Sequence, residues 1–420
     1  MKALIVGVKL DSVSDSKFNE EMMELKNLAL ACDIEVLDMV TQELSEFHPK
    51  TYVGKGKVEE IKEFSEALEC DVVIFNDELT PVQISNLDKV IEKLIYDRTY
   101  LILEIFKRRA RTKEAILQVE LASLSYLLPR LSDLRNGLSR QRGPGGGFAH
   151  GRGAGETKLE LDRRITNDKI AQIKKELKEL TNKRKQQRLK RNKSILKTVA
   201  LVGYTNSGKS SLMNAFLRSV TTIDEKNVME KDMLFATLET ATRKIATPFG
   251  EFILTDTVGF IEKLPHMLVE AFKSTLEEIN EADLLIHVVD ASNEKFLDQI
   301  ATTNKVLSEI GISDIPIIYA FNKIDKVEEY LYIPKEYPEA IRISATKDIN
   351  INVLINKVIN ELYSDYDKQL FYIPYQNQNE LYKIKEYAVN SVVSYDDNGI
   401  NLECLVPKYI SEKYNMYIKK

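Results

Sequence analysis

The chain has 420 residues, 44% hydrophobic and 29% charged, with a net charge of −5. This balance predicts a globular, soluble protein of two to four domains. It excludes a membrane span, because the longest apolar run, Ala282–Ala291, is broken by charge and His287 and falls short of the ~18–20 residues a spanning helix needs.

In chain order, Met1–Val8 is apolar and then reads Lys9-Leu10-Asp11, a strand rather than a signal peptide. Strand signals at Ala3–Val8, Ile34–Val40 and Asp71–Phe75 alternate with helix signals at Phe18–Ala31 and Lys57–Leu68. Phe18, Met22, Leu25 and Leu28 share one side of the first helix. Thr80-Pro81 opens a further helix as N-cap and first-turn proline. The alternation implies a mostly parallel sheet, and residues 1–106 read as an N-terminal α/β domain.

Residues 107–193 hold 24 Lys and Arg against 9 Asp and Glu, a net of +15 that leaves −20 for the rest of the chain. A basic block in an acidic protein points to a polyanionic partner. Leu117, Leu121, Leu124, Leu128 and Leu131 form one coiled-coil seam, and Ile170, Ile173, Leu177 and Leu180 form another. Two such helices bury their seams as a long antiparallel hairpin. The tip, residues 136–156, is too glycine-rich for a stable helix. Arg135, Arg140, Arg142, His150 and Arg152 at the tip, with Arg163 and Arg164, are the candidate RNA contacts.

Residues 197–364 begin a second α/β pattern. The strand Thr198–Val202 runs into Gly203-Tyr204-Thr205-Asn206-Ser207-Gly208-Lys209-Ser210, and a helix opens at Ser211. This is a P-loop in its strand–loop–helix context. Its backbone N–H groups would cradle phosphates, Lys209 would reach the β- and γ-phosphates, and Ser210 would ligate Mg²⁺. The later segments select guanine. Phe252–Thr255 ends in Asp256-Thr257-Val258-Gly259, where Asp256 would hold Mg²⁺ through water and the Gly259 N–H would meet the γ-phosphate. Pro316–Phe321 ends in Asn322-Lys323-Ile324-Asp325: the Asp325 carboxylate accepts from guanine N1–H and the 2-amino group, and the Lys323 stem crosses the base plane. Ile341–Ile343 ends in Ser344-Ala345-Thr346, placed to support guanine O6. Phe235-Ala236-Thr237-Leu238-Glu239 carries the switch threonine, whose hydroxyl would reach Mg²⁺ and whose N–H the γ-phosphate. Lys209, Thr237 and Gly259 are the candidate catalytic residues. Phe260 stands where many GTPases have a water-orienting Gln. Either hydrolysis is slow until a partner adds order, or another group positions the water. Asn206 is a candidate K⁺ ligand, as an Asn here is in several GTPases.

Residues 365–420 read as a small α+β domain, with a helix at Glu380–Val389 and strands at Ser391–Tyr395 and Ile400–Val406 joined at Asn398-Gly399, a type I′ turn signal. Cys32, Cys70 and Cys404 are odd in number and far apart, which fits a reducing cytoplasm. His48, His150, His266 and His287 show no metal-ligand spacing.

The chain resembles the HflX family of translational GTPases over most of its length. The N-terminal segments Thr51–Glu60, Phe75–Pro81 and Asp97-Arg98-Thr99 carry the likeness. So do Arg109–Glu114, Gln118–Ala122, Tyr126–Arg130, Ser139–Gln141 and Gly155–Arg164, then Phe235–Leu238 and Asp256–Ile261 in the GTPase domain. The family, too, carries a hydrophobic residue at the position of Phe260. The sequence departs from the family at Ala154, where a proline is usual, at Glu239-Thr240, which replaces Asp-Pro, and at Thr346. The resemblance implies a Ras-like P-loop GTPase domain, binding to the large ribosomal subunit and its rRNA, a tip that reaches toward the peptidyl-transferase region, splitting of stalled or idle ribosomes in the GTP state, and hydrolysis stimulated by the ribosome. The expected protein is a cytoplasmic monomer binding GTP or GDP with Mg²⁺. Two rivals stay open at this point: a GTPase acting in ribosome assembly or on another RNA, and a nucleotide-gated adaptor without turnover.

Overall fold

The computed structural model describes residues 1–131, 152–191, 196–220, 241–247, 250–263, 265, 268, 279–312, 314–327, 333–337 and 339–419; of 152–159 and 183–191 it describes the backbone alone. The chain divides into two compact units, one built on Met1–Thr181 and one on Asn182–Asp232, Ala236–Glu262 and Lys273–Lys420. Among the described residues no helix is long and apolar enough to cross a membrane.

The first unit begins β1 (Lys2–Leu10), α1 (Asp15–Ala31), β2 (Glu35–Leu44), α2 (Lys55–Ala67), β3 (Val72–Phe75), α3 (Pro81–Ile91), β4 (Leu94–Asp97) and α4 (Arg98–Arg109). The four strands form a parallel sheet in the order β2-β1-β3-β4. Leu4 and Val6 of β1 and Val73 and Phe75 of β3 are buried with Ile61 of α2 and Leu87 of α3, the pattern of a sheet covered by helices. The helix expected at Thr80-Pro81 is present with a full capping box, Thr80 and Gln83 satisfying each other's backbone.

A buried polar knot lies at the carboxyl ends of β3 and β4, where the sequence had shown no strand at Leu94. The Asp97 carboxylate accepts from the N–H of Leu79 (3.0 Å) and of Tyr100 (2.8 Å) and from the Tyr126 hydroxyl (2.9 Å). Burial raises its pKa against those bonds and against the charge of Arg130. The Arg130 guanidinium lies 3.6 Å over the Tyr126 ring and donates to the Leu79 carbonyl (2.7 Å). Beside it Arg98, 1% exposed, pairs with Glu24 and donates to Asn76 Oδ1 at 3.2 Å. Lys263, which groups with this unit, pairs with Glu21 (2.6 Å) and Asp77 (2.7 Å).

The basic helices are α5 (Lys113–Leu127) and α6 (Arg152–Arg191). They run antiparallel, since Lys113 pairs with Glu176 (3.3 Å) while Glu120 pairs with Lys169 (2.5 Å). On α6, Ile173 is buried and Ile170, Leu177 and Leu180 are half-buried, as the expected seam requires. On α5 the seam shows the same mix, with Leu121 buried, but it is not the most buried side of that helix. The helix's buried apolar side chains are Ala115, Val119, Leu121, Ala122 and Tyr126, and Leu117 and Leu124 are only half-buried. The helix stops at Leu127 and a 3₁₀ turn covers Leu128–Arg130, because Pro129 has no N–H to continue the ladder. The glycine-rich tip also needs correction at its far end. Helix α6 starts at Arg152, so Gly153 and Gly155 are helical. Each costs about 1 kcal/mol there, which a 40-residue helix outweighs.

The second unit carries a six-stranded sheet in the order β10-β9-β8-β5-β7-β6. Its elements are β5 (Lys197–Val202), α7 (Lys209–Val220), β6 (Ala241–Thr247), β7 (Gly250–Asp256), β8 (Leu284–Asp290), α8 (Phe296–Glu309), β9 (Ile317–Asn322), β10 (Ile341–Arg342) and α9 (Ile351–Leu362). Only β6 is antiparallel to its neighbour. Val199, Leu201, Leu254, Ile286 and Val288 pack with Leu212 and Phe216 of α7 and Leu354 and Val358 of α9. A three-stranded antiparallel sheet follows in the order β11-β13-β12, from β11 (Tyr366–Pro374), β12 (Val389–Tyr395) and β13 (Gly399–Pro407), with α10 (Gln378–Lys385) and α11 (Lys408–Lys413). The β12–β13 turn is not type I′, because neither Asn398 nor Gly399 takes a positive φ. The Asp396 carboxylate builds it instead, accepting from the N–H of Asn398 (3.0 Å) and Gly399 (2.8 Å).

Candidate functional site

Four strand ends of the second unit come together at one sheet edge. Leu201 of β5 is in register with Asp256, the last residue of β7, and Asp290 of β8 is in register with Asn322 of β9. Open α/β sheets place ligands at this carboxyl edge. The P-loop leaves β5 there and returns as α7, whose first-turn N–H groups have no partner within the helix. Gly208 cannot be replaced: its φ is +93°, and a Cβ would lie 2.2 Å from Asn322 Nδ2. Asn206, exposed, adopts a left-handed φ of 60°. The Lys209 ammonium is buried and donates to the carbonyls of Gly203 (3.0 Å) and Tyr204 (2.8 Å). The Ser210 hydroxyl donates to Asp256 Oδ2 at 2.6 Å. Thr257 is turned the other way, its hydroxyl on the Leu201 carbonyl (2.6 Å).

The Asn322–Asp325 and Ser344–Thr346 segments converge on the same edge. Asn322 donates to the Ser207 carbonyl (2.9 Å) and accepts from the Ala345 N–H (3.0 Å), so one side chain ties the P-loop to the Ser344-Ala345 turn. The Ser344 hydroxyl donates to Asp325 Oδ1 (2.6 Å) and lies 3.3 Å from the Thr346 hydroxyl. Lys323, at a φ of 64°, reaches across to Asp290 Oδ2 at 2.7 Å. Sequence reasoning passed over Asp290; its signal was a lone carboxylate closing the apolar run Leu284–Val289. It also passed over Arg218, which donates to the Ala345 carbonyl (2.8 Å) and pairs with Asp348 (2.8 Å), bracing the turn from α7.

Gly203–Ser211, Asp256–Gly259, Asn322, Lys323, Asp325 and Ser344–Thr346 are thus brought together. Phe235, Ala236, Thr237, Leu238 and Glu239 lie outside the described residues, as do Arg135, Arg140, Arg142 and His150. Arg163 and Arg164 are exposed on α6. Of the histidines, His287 is buried in β8 against Tyr319; burial and the nearby Lys209 charge hold its pKa down at about 3, so it stays neutral.

The residues present suit a hard cation. Ser210 and Asp256 offer two oxygens at the mouth of the P-loop, the donor type Mg²⁺ selects. Burial lowers the Lys209 pKa to about 8, with Asp256 pulling it up and Lys323 down. A polyphosphate beside the ammonium would restore its charge. Below about pH 8 the ligand-free lysine is already charged and affinity is flat; above it, binding must take up a proton. GDP affinity is therefore expected to fall above pH 8 by up to tenfold per unit. Calorimetry in buffers of different ionisation enthalpy reads the proton directly, and zero uptake at pH 9 would contradict this.

Three family models match consecutive parts of the chain. They are described as GTP-binding GTPase N-terminal (residues 19–107), GTP-binding GTPase Middle Region (109–191) and 50S ribosome-binding GTPase (198–323). The GTPase HflX of Caldanaerobacter subterraneus subsp. tengcongensis is 43% identical over 418 residues, 99% of this chain and 94% of that protein. The GTPase HflX of Escherichia coli K12 is 38% identical over 402 residues, 94% of this chain and 91% of that protein. Among solved structures, a GTP-binding protein from Sulfolobus solfataricus in complex with GDP is 25% identical, with 86% of this chain and 99% of that chain covered at a TM-score of 0.43. Relatives of this similarity match the chain nearly from end to end, and the chain belongs to the HflX family of GTPases.

Proposed function

We propose that this protein is a GTP-dependent factor that binds the large ribosomal subunit and splits stalled or idle ribosomes, hydrolysing GTP to GDP and phosphate in the cytoplasm as a monomer. The observation that carries the reading is a guanine-nucleotide constellation on the same chain as a helical pair whose region, residues 107–193, holds 24 basic against 9 acidic residues. The proposed organisation is an α/β domain (1–106), a basic hairpin (107–193) with its tip at 136–156, the GTPase domain (197–364) and a small α+β domain (365–420).

In this reading Lys209 and the Gly259 N–H hold the γ-phosphate, Thr237 closes over it, and Asp325, Lys323 and Ser344–Thr346 enclose the base. Ser210, Thr237 and, through water, Asp256 would hold Mg²⁺, which supplies charge neutralisation across the β- and γ-phosphates. Asn206 would bind K⁺ beside them. Arg135, Arg140, Arg142, His150, Arg152, Arg163 and Arg164 would meet rRNA, largely through phosphates.

Cosedimentation with ribosomes, in GDP or a non-hydrolysable GTP analogue, tests this. Wild type should release free subunits with the analogue and not with GDP; a variant lacking Arg140–Gly153 should not release them in either. Binding should weaken by orders of magnitude between 50 and 200 mM salt, as ~6–10 phosphate contacts require. Stimulation of turnover by immature particles but not by mature subunits would favour an assembly role instead.

A further inference from the structure

Tyr204, second in the P-loop, joins two halves of the site. Its carbonyl accepts from the Lys209 ammonium at 2.8 Å, and its hydroxyl accepts from the Glu262 N–H at 2.9 Å. Between those points the stretch after Asp256 lies along the P-loop as a short parallel bridge. The Phe260 N–H donates to the Gly203 carbonyl (3.1 Å), and the Phe260 carbonyl accepts from the Thr205 N–H (2.7 Å). Three hydrogen bonds therefore hold Phe260–Glu262 down, and the one at its far end is made by a side chain. Phe260 and Ile261 are each 1% exposed and Tyr204 8%. Packing alone would satisfy the ring; the hydroxyl is the part that addresses the backbone.

The docked stretch is close to where phosphate must come. A Cβ on Gly259 would lie 2.8 Å from Thr205 Cα and 3.0 Å from Lys209 Nζ, so glycine backbone rests against the ammonium. The ammonium is turned onto the Gly203 and Tyr204 carbonyls. A γ-phosphate needs Lys209 to leave those carbonyls and the Gly259 N–H to face it. A diphosphate makes no demand on Gly259. We propose that Tyr204 is a positioning residue: its hydroxyl latches Glu262 and keeps the Gly259–Ile261 stretch docked on the P-loop, and γ-phosphate binding works against that latch. This rests on the nucleotide site proposed above and adds a residue that sets GTP against GDP.

Tyr204→Phe removes the hydroxyl and keeps the ring. Losing one hydrogen bond from the docked form should favour the GTP analogue over GDP by about twofold to tenfold, read as the ratio of the two dissociation constants. A residue that only fills space would change both constants alike and leave the ratio where it was, which overturns the proposal. Amide exchange supplies a second readout without any mutation. In wild type the Glu262 N–H should be protected with GDP and exchange at least about tenfold faster with the analogue; equal protection in the two states also overturns it. Failure of wild type to bind GDP at all would instead sink the nucleotide site itself.

Discussion

Asp325→Asn should cost the protein its grip on guanine and give it one on xanthine. In the proposed site the carboxylate is the group whose two acceptors would match the guanine N1–H and 2-amino donors, and Ser344 donates to it at 2.6 Å. An amide keeps one acceptor and turns a donor toward the 2-amino group. Weakening or losing two charge-assisted bonds of about 1.5–3 kcal/mol each lowers GTP affinity by roughly a hundredfold to ten-thousandfold. Xanthine has a carbonyl in place of that amino group, so the new donor finds an acceptor. Competition against a fluorescent GDP analogue measures both, and undiminished GTP affinity would place the base elsewhere.

Arg98→Ala is expected to give the largest loss of stability. The guanidinium is 1% exposed, paired with Glu24 and bonded to Asn76. Removing it takes the cation from Glu24, whose side chain is 13% exposed and so only partly buried, a change that costs up to about 3–5 kcal/mol, the figure for fully buried pairs. Urea unfolding followed by circular dichroism should show that loss in the transition of the first unit. Arg98→Met combined with Glu24→Gln should recover much of it, because the penalty is an uncompensated charge rather than a missing contact. A single substitution that leaves the midpoint unmoved would show the pair to be solvated.

How far the sequence could be read depended on how local each signal was. The P-loop, the Asp256–Gly259 segment and the Asn322–Asp325 segment each follow an apolar strand, so residue order alone located them on one sheet edge. The cap at Thr80 was legible for the same reason, since its partner Gln83 is three residues away. The pairings of Asp290 and Arg218 were not legible, because their partners Lys323 and Ala345 lie 33 and 127 residues off. The knot of Asp97, Tyr126 and Arg130 was missed in the same way: its members sat in segments that resembled a family without showing why. On α5 the leucine spacing marked the side that carries the ion pairs to α6, but not the more deeply buried side of Val119, Ala122 and Tyr126. Helical periodicity tells which residues share a side but not which of two partners that side meets, and Pro129 ended the helix before the row was complete. At Asn398-Gly399 the dipeptide signal lost to the carboxylate of Asp396, which satisfied the turn without positive φ.

The two rungs between α5 and α6, Lys113 with Glu176 and Glu120 with Lys169, stand seven residues apart on each limb. Such spacing works like a ruler. Length can be added to the arm only in matched heptads on both limbs; an unmatched insertion would rotate one limb against the other and throw its outermost arginines to the opposite side. Relatives that keep this register but carry longer or shorter limbs should therefore differ by paired sevens rather than by arbitrary lengths.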